Sequence, residues 1–418
     1  AFRHAQAGRP GTVYLAFRVD VLRDEVEDAG LSFPQPERYR VSAGAPDAEQ
    51  TRRAAELIAE AEFPLVLAGQ GVLRAGAAPE LLALVDRIGA IAMTTPSARG
   101  AIDEEHPLWM GNATLSDGDF VHRAVENADC IVNVGHDVIE KPPFFMRKGL
   151  RTVIHVNYIS AEVDTVYFPQ IEVTGDVANS IWRMKEAITP QKHWDFGYFD
   201  KARAALAAHL QLGADDDRFP IYPVRMVREI RELMPSDGIV CLDNGMYKIW
   251  FGRYYRCREP NTMLLDNALA TMGAGLPSAM AAKMVHPGRK VVAVSGDGGF
   301  MMNSQELETS VRLGLDLVQI VVRDNAYGMI KWKQANMQFA NYGMDMGNPD
   351  FVKNAEHYVK YAEAYGAKGW RPGSVAEFRK MLAHCLDTPG VHLIDLAIDY
   401  SDNDRVLNNE IRQLSAKL

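Results

Sequence analysis

The sequence predicts an α/β protein built from two doubly wound parallel-sheet domains. Short apolar runs rich in β-branched residues recur along the chain, and segments with helical spacing separate them. Most of these runs end in glycine or a polar residue, as parallel strands do at the ligand-binding edge of a sheet. The length of 418 residues suffices for two or three domains of ordinary size.

The composition is that of an ordinary globular protein, with 47% hydrophobic and 24% charged residues. A formal net charge of −9 and a pI near 5.7 argue against a nucleic-acid or anionic-membrane partner. No apolar run approaches the roughly 20 residues that span a bilayer. The first residues lack the apolar core of a signal peptide. We therefore expect a cytoplasmic protein with small-molecule ligands.

The four cysteines are Cys130, Cys241, Cys257 and Cys385. They lie far apart without CxxC spacing, which suggests neither a zinc site nor a disulfide framework. They are predicted to be buried thiols in a reducing compartment.

Residues 1–40 are predicted to be the end of a further domain followed by a charged linker. The segment shows a helix end, a turn and one apolar strand, Thr12–Phe17. A lone strand without a sheet partner is unstable by itself. Most of one domain is therefore expected to be absent from this chain.

Residues 41–187 are predicted to form a central α/β domain. Its predicted elements are the helices Ala48–Ala61 and Pro79–Ile88 and the strands Pro64–Leu67, Ile91–Met93, Cys130–Val134 and Thr152–Val156. The turns Gly69-Gln70-Gly71 and Gly135-His136 could touch a dinucleotide. Neither has the GxGxxG spacing, so tight structural turns are favoured. His136 could be an exposed turn residue or a functional one.

Residues 188–222 are polar and charged and are predicted to be a linker, and residues 223–418 form the last domain. Its predicted elements are the helices Ile221–Met234, Ala279–Met284 and Asn403–Leu418 and the strands Gly238–Leu242, Val291–Val294, Leu317–Val322 and Val391–Ile398. The C-terminal helix could fold over a site as a lid. Asp243 and Asn244, which follow a strand, could cap the next helix or contact a ligand.

The chemistry is predicted at the ends of two consecutive strands. Val291–Val294 runs into Gly296-Asp297-Gly298-Gly299, and Leu317–Val322 leads to Asp324. Parallel strands place both carboxylates at one edge of the sheet. Hard oxygen ligands suit Mg²⁺, and glycine amides suit phosphate groups. The alternative is a plain β-α-β crossover with a glycine turn and two acidic caps.

This stretch resembles the diphosphate-binding signature of thiamin-diphosphate enzymes, and in particular of acetolactate synthase-like enzymes. Asp324 follows Asp297 by 27 residues, the family's spacing, and catabolic members carry Asp at this place where many relatives carry Asn. The resemblance implies that Asp297, Asp324 and the backbone carbonyl of Ala326 bind Mg²⁺. It implies a cofactor site made of Asn244, Gly245, Met246, Tyr247, Ala270, Met272, Gly296, Asp297, Gly298, Gly299, Asp324, Tyr327, Gly328 and Met329.

The resemblance gives Met272 a catalytic role, because relatives place a large apolar residue there under the bent cofactor. The carbonyl of Ala270 matches the acceptor for the cofactor's amino group. An unbranched thioether suits an irregular apolar gap. Lys333 holds the position where catabolic relatives have Gln and biosynthetic ones Trp, and Trp332 is one residue out of register. Trp332 and Met329 could equally be core residues.

The implied activity is decarboxylating carboligation of 2-oxo acids, two pyruvate to 2-acetolactate plus CO₂, in branched-chain amino acid or acetoin metabolism. The run His136-Asp137-Val138-Ile139-Glu140-Lys141 differs from that of FAD-binding relatives, so FAD is not expected. In the family the activating glutamate lies in the N-terminal pyrimidine-binding domain, whose C-terminal remnant residues 1–40 resemble. That glutamate reaches the site across a subunit interface, which implies a homodimer or homotetramer. This chain alone is expected to be nearly inactive.

Two alternatives stay open. The chain could be another thiamin-diphosphate decarboxylase or carboligase, acting for example on glyoxylate. It could also be a non-catalytic module that binds a diphosphate ligand.

Overall fold

The computed structural model describes residues 1–7, 11–26, 32, 35–39, 41, 43–113, 118–136, 146–267, 269–346 and 357–418. These residues form two six-stranded sheets in which every neighbouring pair of strands is parallel. Helices pack on both faces of each sheet. The predicted fold class is confirmed.

The N-terminal segment forms only short helices, α1 (Phe2–Gln6), α2 (Val19–Arg23) and a 3₁₀ turn at Pro36–Tyr39. The strand predicted at Thr12–Phe17 is wrong: these residues form no helix or strand and pair with no described strand. Tyr14 is 88% exposed. An apolar run becomes a strand only when a neighbour satisfies its backbone groups, and none is present among the described residues.

The first sheet has the strand order β3-β2-β1-β4-β5-β6. Its strands are β1 (Pro64–Ala68), β2 (Ala92–Thr94), β3 (Trp109–Asn112), β4 (Cys130–Val134), β5 (Thr152–Asn157) and β6 (Ile171–Thr174). The helices around it are α3 (Ala48–Glu60), α4 (Gln70–Arg74), α5 (Ala78–Ile88), α6 (Phe120–Asn127), α7 (Val177–Ala187) and α8 (Gly197–Leu210), with a 3₁₀ turn at Pro96–Ala98.

Local sequence explains where these helices begin and end. Asp47, Asp119 and Asp176 each accept a hydrogen bond from a backbone amide of the first turn of α3, α6 and α7. Gly89 ends α5 in the left-handed conformation, with φ at 73°. The sheet carries an apolar core on each face, which is why its strands read as nearly unbroken apolar runs.

The segment predicted as a linker, residues 188–222, contains the 14-residue helix α8. Phe199, Ala202 and Leu206 of α8 are buried in the apolar core that α6 also covers. The aspartates and prolines that flank α8 in the sequence favoured a linker, although α8 itself contains many alanine and leucine residues.

The second sheet has the order β11-β12-β10-β9-β7-β8. Its strands are β7 (Ile239–Leu242), β8 (Met263–Leu265), β9 (Val291–Gly296), β10 (Leu317–Arg323), β11 (Lys368–Trp370) and β12 (Val391–Ala397). Its helices are α9 (Pro223–Leu233), α10 (Met246–Tyr254), α11 (Gly275–Val285), α12 (Asp297–Phe300), α13 (Glu306–Arg312), α14 (Gly328–Asn336), α15 (His357–Ala364) and α16 (Val375–Asp387).

A π-helical segment (Arg405–Glu410) and α17 (Ile411–Ser415) end the chain. The sequence left open that this end folds over a site as a lid, and in the structure its last residues pack on the central domain. Ile411 is buried in the core beside α6, and Ser415 Oγ donates a hydrogen bond to the carbonyl of Gly118. The apolar side of the C-terminal helix is therefore used to join the last domain to the central one.

A buried ion pair of the central domain also bonds to the last domain. Arg99 and Glu104, from the loop between β2 and β3, are 1% and 2% exposed and bond to each other. Arg99 also donates to the carbonyl oxygens of Phe251 and Tyr255 at the end of α10, and Glu104 accepts from the amide of Cys257. Arg99 thus caps the C-terminus of a helix in the other domain.

No helix among the described residues combines the length and apolar character needed to cross a bilayer. The four cysteines are buried and form no disulfide, as predicted.

Candidate functional site

The candidate site lies at the carboxyl ends of β7, β9 and β10. From β7 the chain steps outward to β8 and then returns to β9 on the opposite side. Crevices of open α/β sheets form at such a switch in strand order. Here the structure has a cavity that opens to solvent.

The cavity brings together all the predicted site residues except Ala270. Its lining includes Asn244, Gly245, Met246, Tyr247, Met272, Gly296, Asp297, Gly298, Gly299, Asp324, Ala326, Tyr327, Gly328 and Met329. Ala270 is exposed, has a left-handed backbone (φ 52°) and lies outside the lining.

Asp297 is the first residue after β9 and is 2% exposed. One carboxylate oxygen accepts the amide of Gly298 at 2.9 Å, and the other accepts the amide of Asn325 at 2.7 Å. Burial raises the pKa of Asp297 to about 6, although these two hydrogen bonds oppose the shift. The carboxylate is therefore held rigidly between the ends of β9 and β10.

Asp324 follows β10, the strand beside β9. Burial raises the pKa of Asp324 to about 7, and the nearby charge of Asp297 contributes to the shift. The described residues contain no group of three His, Cys, Asp or Glu side chains that could hold a metal. Two carboxylates of like charge, without imidazole or thiolate, form a donor set that suits a hard divalent cation completed by other oxygens.

Gly298 and Gly299, which follow Asp297, let the side chains of Tyr327 and Asp243 pack closely against the backbone. A Cβ atom on Gly299 would lie 2.7 Å from Asp243 Oδ2, and one on Gly298 would lie 2.6 Å from the ring of Tyr327. The amide of Gly298 is already bonded to Asp297. The absence of side chains at these positions is therefore needed for packing as well as for access to a ligand.

Asp243 and Asn244 do not cap the following helix. The N-cap of α10 is Gly245, and it receives no side-chain hydrogen bond. Asp243, which is fully buried, accepts the amides of Asn244 and Gly273. Burial raises the pKa of Asp243, while these bonds act in the opposite direction. Both residues instead hold the loop that precedes α11.

Tyr400 lines the cavity and was not predicted from the sequence. It follows β12, whose last residue pairs with Arg323 beside Asp324. Burial raises the pKa of Tyr400, with contributions from the charges of Asp324 and Asp297. Its position shortly after the predicted strand Val391–Ile398 is visible in the sequence, but the pairing of that strand with β10, which brings Tyr400 to the cavity, is not. Val322 and Ile330 also line the cavity.

The helix α14 starts at the cavity and leads away from it. Met329 lines the cavity, whereas Trp332 and Lys333 do not. Trp332 packs against the core of the last domain, which matches the core alternative for this residue. The ammonium group of Lys333 lies 5.7 Å from the centre of the Trp332 ring.

In the central domain, the two predicted glycine turns pack on each other at the ends of β1 and β4. The amide of Gly71 donates to the carbonyl of Gly135, and a Cβ on Gly71 would lie 2.7 Å from Gly135 Cα. This close contact supports the structural reading of the glycines. His136 is buried, so an exposed turn position is wrong. The run from Asp137 to Lys141 lies outside the described residues.

Family models match two parts of the chain. Residues 243–396 match "Thiamine pyrophosphate enzyme, C-terminal TPP binding domain", and residues 51–184 match "Thiamine pyrophosphate enzyme, central domain". Thiamine pyrophosphate is another name for thiamin diphosphate. The first match contains Asp297 and Asp324, and neither match is an N-terminal domain.

Curated relatives align with nearly the whole chain. An acetolactate synthase of Bacillus subtilis (strain 168) is 30% identical over 421 residues, which are 98% of this chain and 71% of the relative. A catabolic acetolactate synthase of Raoultella terrigena is 30% identical over 413 residues, 96% of this chain and 71% of the relative. A probable acetolactate synthase large subunit of Methanocaldococcus jannaschii is 28% identical over 96% of this chain and 68% of the relative. The chain belongs to the acetolactate synthase-like family of thiamine pyrophosphate enzymes.

Proposed function

We propose that the chain binds thiamin diphosphate and Mg²⁺ in the cavity at β7, β9 and β10. The proposed reaction is decarboxylating carboligation of 2-oxo acids, two pyruvate to 2-acetolactate plus CO₂. The observation that carries this proposal is the pair Asp297 and Asp324, two buried carboxylates at the ends of adjacent strands in a glycine-lined cavity. The names of the relatives support the choice of reaction.

In this proposal, Asp297 and Asp324 hold Mg²⁺ with the backbone carbonyl of Ala326. A divalent cation held by these residues would offset the repulsion between the carboxylates and supply positive charge for the diphosphate. Gly298 and Gly299 leave room for the diphosphate against the backbone. Met272 offers an adaptable apolar surface to the cofactor rings. When bound, the cofactor supplies the electron sink that 2-oxo acid decarboxylation needs.

We propose that a further domain covers this cavity and supplies the activating glutamate. Large apolar side chains near the lining residues in sequence are exposed: Leu269 at 86%, Met302 at 48% and Phe339 at 61%. Exposed apolar surface around a cavity favours coverage by another protein surface. The resemblance assigns that surface to an N-terminal domain of a second subunit, so the active species is a homodimer or homotetramer. FAD is not part of the proposed site.

The binding part of the proposal is tested by calorimetry with thiamin diphosphate and Mg²⁺. The wild-type chain is expected to bind, and Asp297→Ala is expected to lose binding because one of the two side-chain metal ligands is gone. Equal binding by both proteins would contradict the metal site.

The catalytic part is tested with pyruvate and with glyoxylate, with and without an added N-terminal domain from an acetolactate synthase. We expect CO₂ release and 2-acetolactate from pyruvate only when that domain is present. Cofactor binding without any product under these conditions would instead support the non-catalytic module.

A further inference from the structure

The loop that carries Met272 into the cavity is clamped from one short segment. We call residues 266–273 the Met272 loop; all of them except residue 268 are described. Two consecutive residues after β7, Asp243 and Asn244, bind opposite ends of this loop. Met272 lies between the bonded positions and is one of the residues that line the cavity.

The C-terminal end of the loop is fixed by Asp243. The amide of Gly273 donates to both oxygens of the Asp243 carboxylate, at 2.8 and 3.0 Å. The carbonyl of Gly273 accepts a hydrogen bond from Asn303 Nδ2 at 2.8 Å. Gly273 has φ at 86°, which a residue with a side chain rarely adopts. This end of the loop therefore has few other conformations that keep the same bonds.

The rest of the loop is bridged by the side-chain amide of Asn244. Its Nδ2 donates to the carbonyl of Asp266 at 2.9 Å and to that of Thr271 at 3.1 Å. Its Oδ1 accepts a hydrogen bond from Lys248 Nζ at 2.7 Å. Because an ammonium group can only donate, Lys248 fixes which end of the amide faces the loop. The two loop carbonyls accept and the ammonium group donates, so both sides of the amide favour the same orientation.

Lys248 lies one helical turn after Asn244, at the start of α10. Burial lowers the pKa of Lys248, and the charge of Asp266 opposes that shift. Its ammonium also lies 3.4 Å from Asn267 Oδ1. Asp266 in turn accepts the amide of Thr271 at 3.2 Å. The lysine, the asparagine and the two ends of the loop thus form one connected hydrogen-bond network, in which the bond from the charged donor is the strongest type.

We propose that Asn244 and Lys248 are positioning residues that hold the Met272 loop, and through it the surface that Met272 presents to the cofactor rings. This inference rests on the proposed function of the cavity. It separates two parts of the site. Asp297 and Asp324 bind the diphosphate through the metal, and the Asn244–Lys248 pair positions the loop that contacts the rings.

The test compares two ligands that share the diphosphate but not the rings. Thiamin diphosphate and inorganic pyrophosphate are each titrated calorimetrically with Mg²⁺ into wild type, Asn244→Ala and Lys248→Met. The readout is the ratio of the two dissociation constants. Loss of the positive charge of Lys248 weakens the binding of both ligands alike and therefore leaves this ratio unchanged. We expect about a tenfold weakening that is specific to thiamin diphosphate, because the variants lose hydrogen bonds that are partly buried or exposed.

Two further variants serve as controls. Lys248→Arg still donates to Asn244 Oδ1 and is expected to keep more of the specific affinity than Lys248→Met. Lys283→Met removes another largely buried lysine, whose Nζ donates to the carbonyl of Arg289 at 2.9 Å at the opposite edge of the sheet. It is expected to leave the ratio unchanged.

A second readout needs no ligand. Hydrogen exchange of the Thr271 and Gly273 amides in the cofactor-free chain should be faster in Asn244→Ala and unchanged in Lys283→Met. If Asn244→Ala does not fold, the calorimetric ratio and the hydrogen exchange are both measured on Lys248→Met.

The outcomes separate this inference from the proposed function. Wild-type binding of both ligands with an unchanged ratio in Asn244→Ala and Lys248→Met would overturn the positioning role alone. Failure of the wild-type chain to bind thiamin diphosphate would overturn the proposed function, and the positioning role would fall with it.

Discussion

Asp297 and Asp324 lie at the carboxyl ends of the neighbouring strands β9 and β10, with no imidazole or thiolate completing a cluster among the described residues. Burial raises the pKa of Asp297 to about 6, and burial together with the charge of Asp297 raises that of Asp324 to about 7. Keeping both buried carboxylates ionised lowers the free energy of unfolding. It becomes favourable when a cation is bound, which ties the local electrostatics to the proposed function.

The first prediction concerns the stability of the cofactor-free chain. A carboxyl group whose pKa is raised on folding binds more protons in the folded state than in the unfolded state. The free energy of unfolding therefore falls as pH rises from about 4 to about 7, by at most about 1.4 kcal/mol per pH unit for each group. Urea unfolding at pH 5 and pH 7.5, with and without Mg²⁺, measures this. Asp324→Asn should flatten the pH dependence; an identical slope in that variant would contradict the assignment.

The second prediction distinguishes the two carboxylates. Asp324→Asn keeps an oxygen ligand and removes the repulsion, and Asn stands at this position in many relatives by resemblance. We expect it to bind thiamin diphosphate with Mg²⁺ within about tenfold of wild type. Asp297 accepts two backbone amides, so in Asp297→Asn the new NH₂ group must face one of these N–H groups. We expect at least about a hundredfold loss of affinity, measured by calorimetry. Equal losses in both variants would count against separate roles.

The third prediction concerns the packing of Gly299 against Asp243. Gly299→Ala places a methyl group 2.7 Å from a buried carboxylate oxygen. Asp243 cannot retreat without releasing Gly273, so the free energy of unfolding should fall by about 1 to 3 kcal/mol. Gly288→Ala is the matched control, since a Cβ there meets no atom within 4 Å. Chemical denaturation of both variants decides the matter, and an undisturbed Gly299→Ala would show that the contact can relax.

The sequence was most informative where carboxylate residues directly follow predicted strands. Asp297 and Asp324 were predicted together because parallel register alone brings the ends of β9 and β10 to one edge. Tyr400 was missed because its place depends on β12 pairing with β10, a contact that no local pattern encodes. The role of Asn244 was missed for the same reason, since its partners Asp266 and Thr271 are more than twenty residues away.

Local patterns misled where tertiary context decides. Thr12–Phe17 has the composition of a strand, but a strand needs a neighbour and the described residues provide none. Helix α8 lies in a segment predicted to be a linker, and Phe199, Ala202 and Leu206 of this helix are buried in the core that α6 also covers. An exposed turn position was one of the two alternatives for His136, and the residue is buried. In each of these cases burial is set by what packs on the segment.

The last prediction concerns the buried ion pair Arg99–Glu104 of the central domain, whose members also bond to the end of α10. Arg99→Met leaves Glu104 buried without its partner and removes the donor that caps α10, whose first residues line the cavity. Loss of one member of a buried pair costs about 3 to 5 kcal/mol. Arg258 and Glu105 form an exposed pair at the same junction, with side chains 43% and 52% exposed, so Arg258→Met should cost at most about 1 kcal/mol. Denaturant unfolding of both variants provides the comparison. A similar small cost in Arg99→Met would mean that water or rearrangement compensates Glu104, and that the end of α10 does not depend on Arg99.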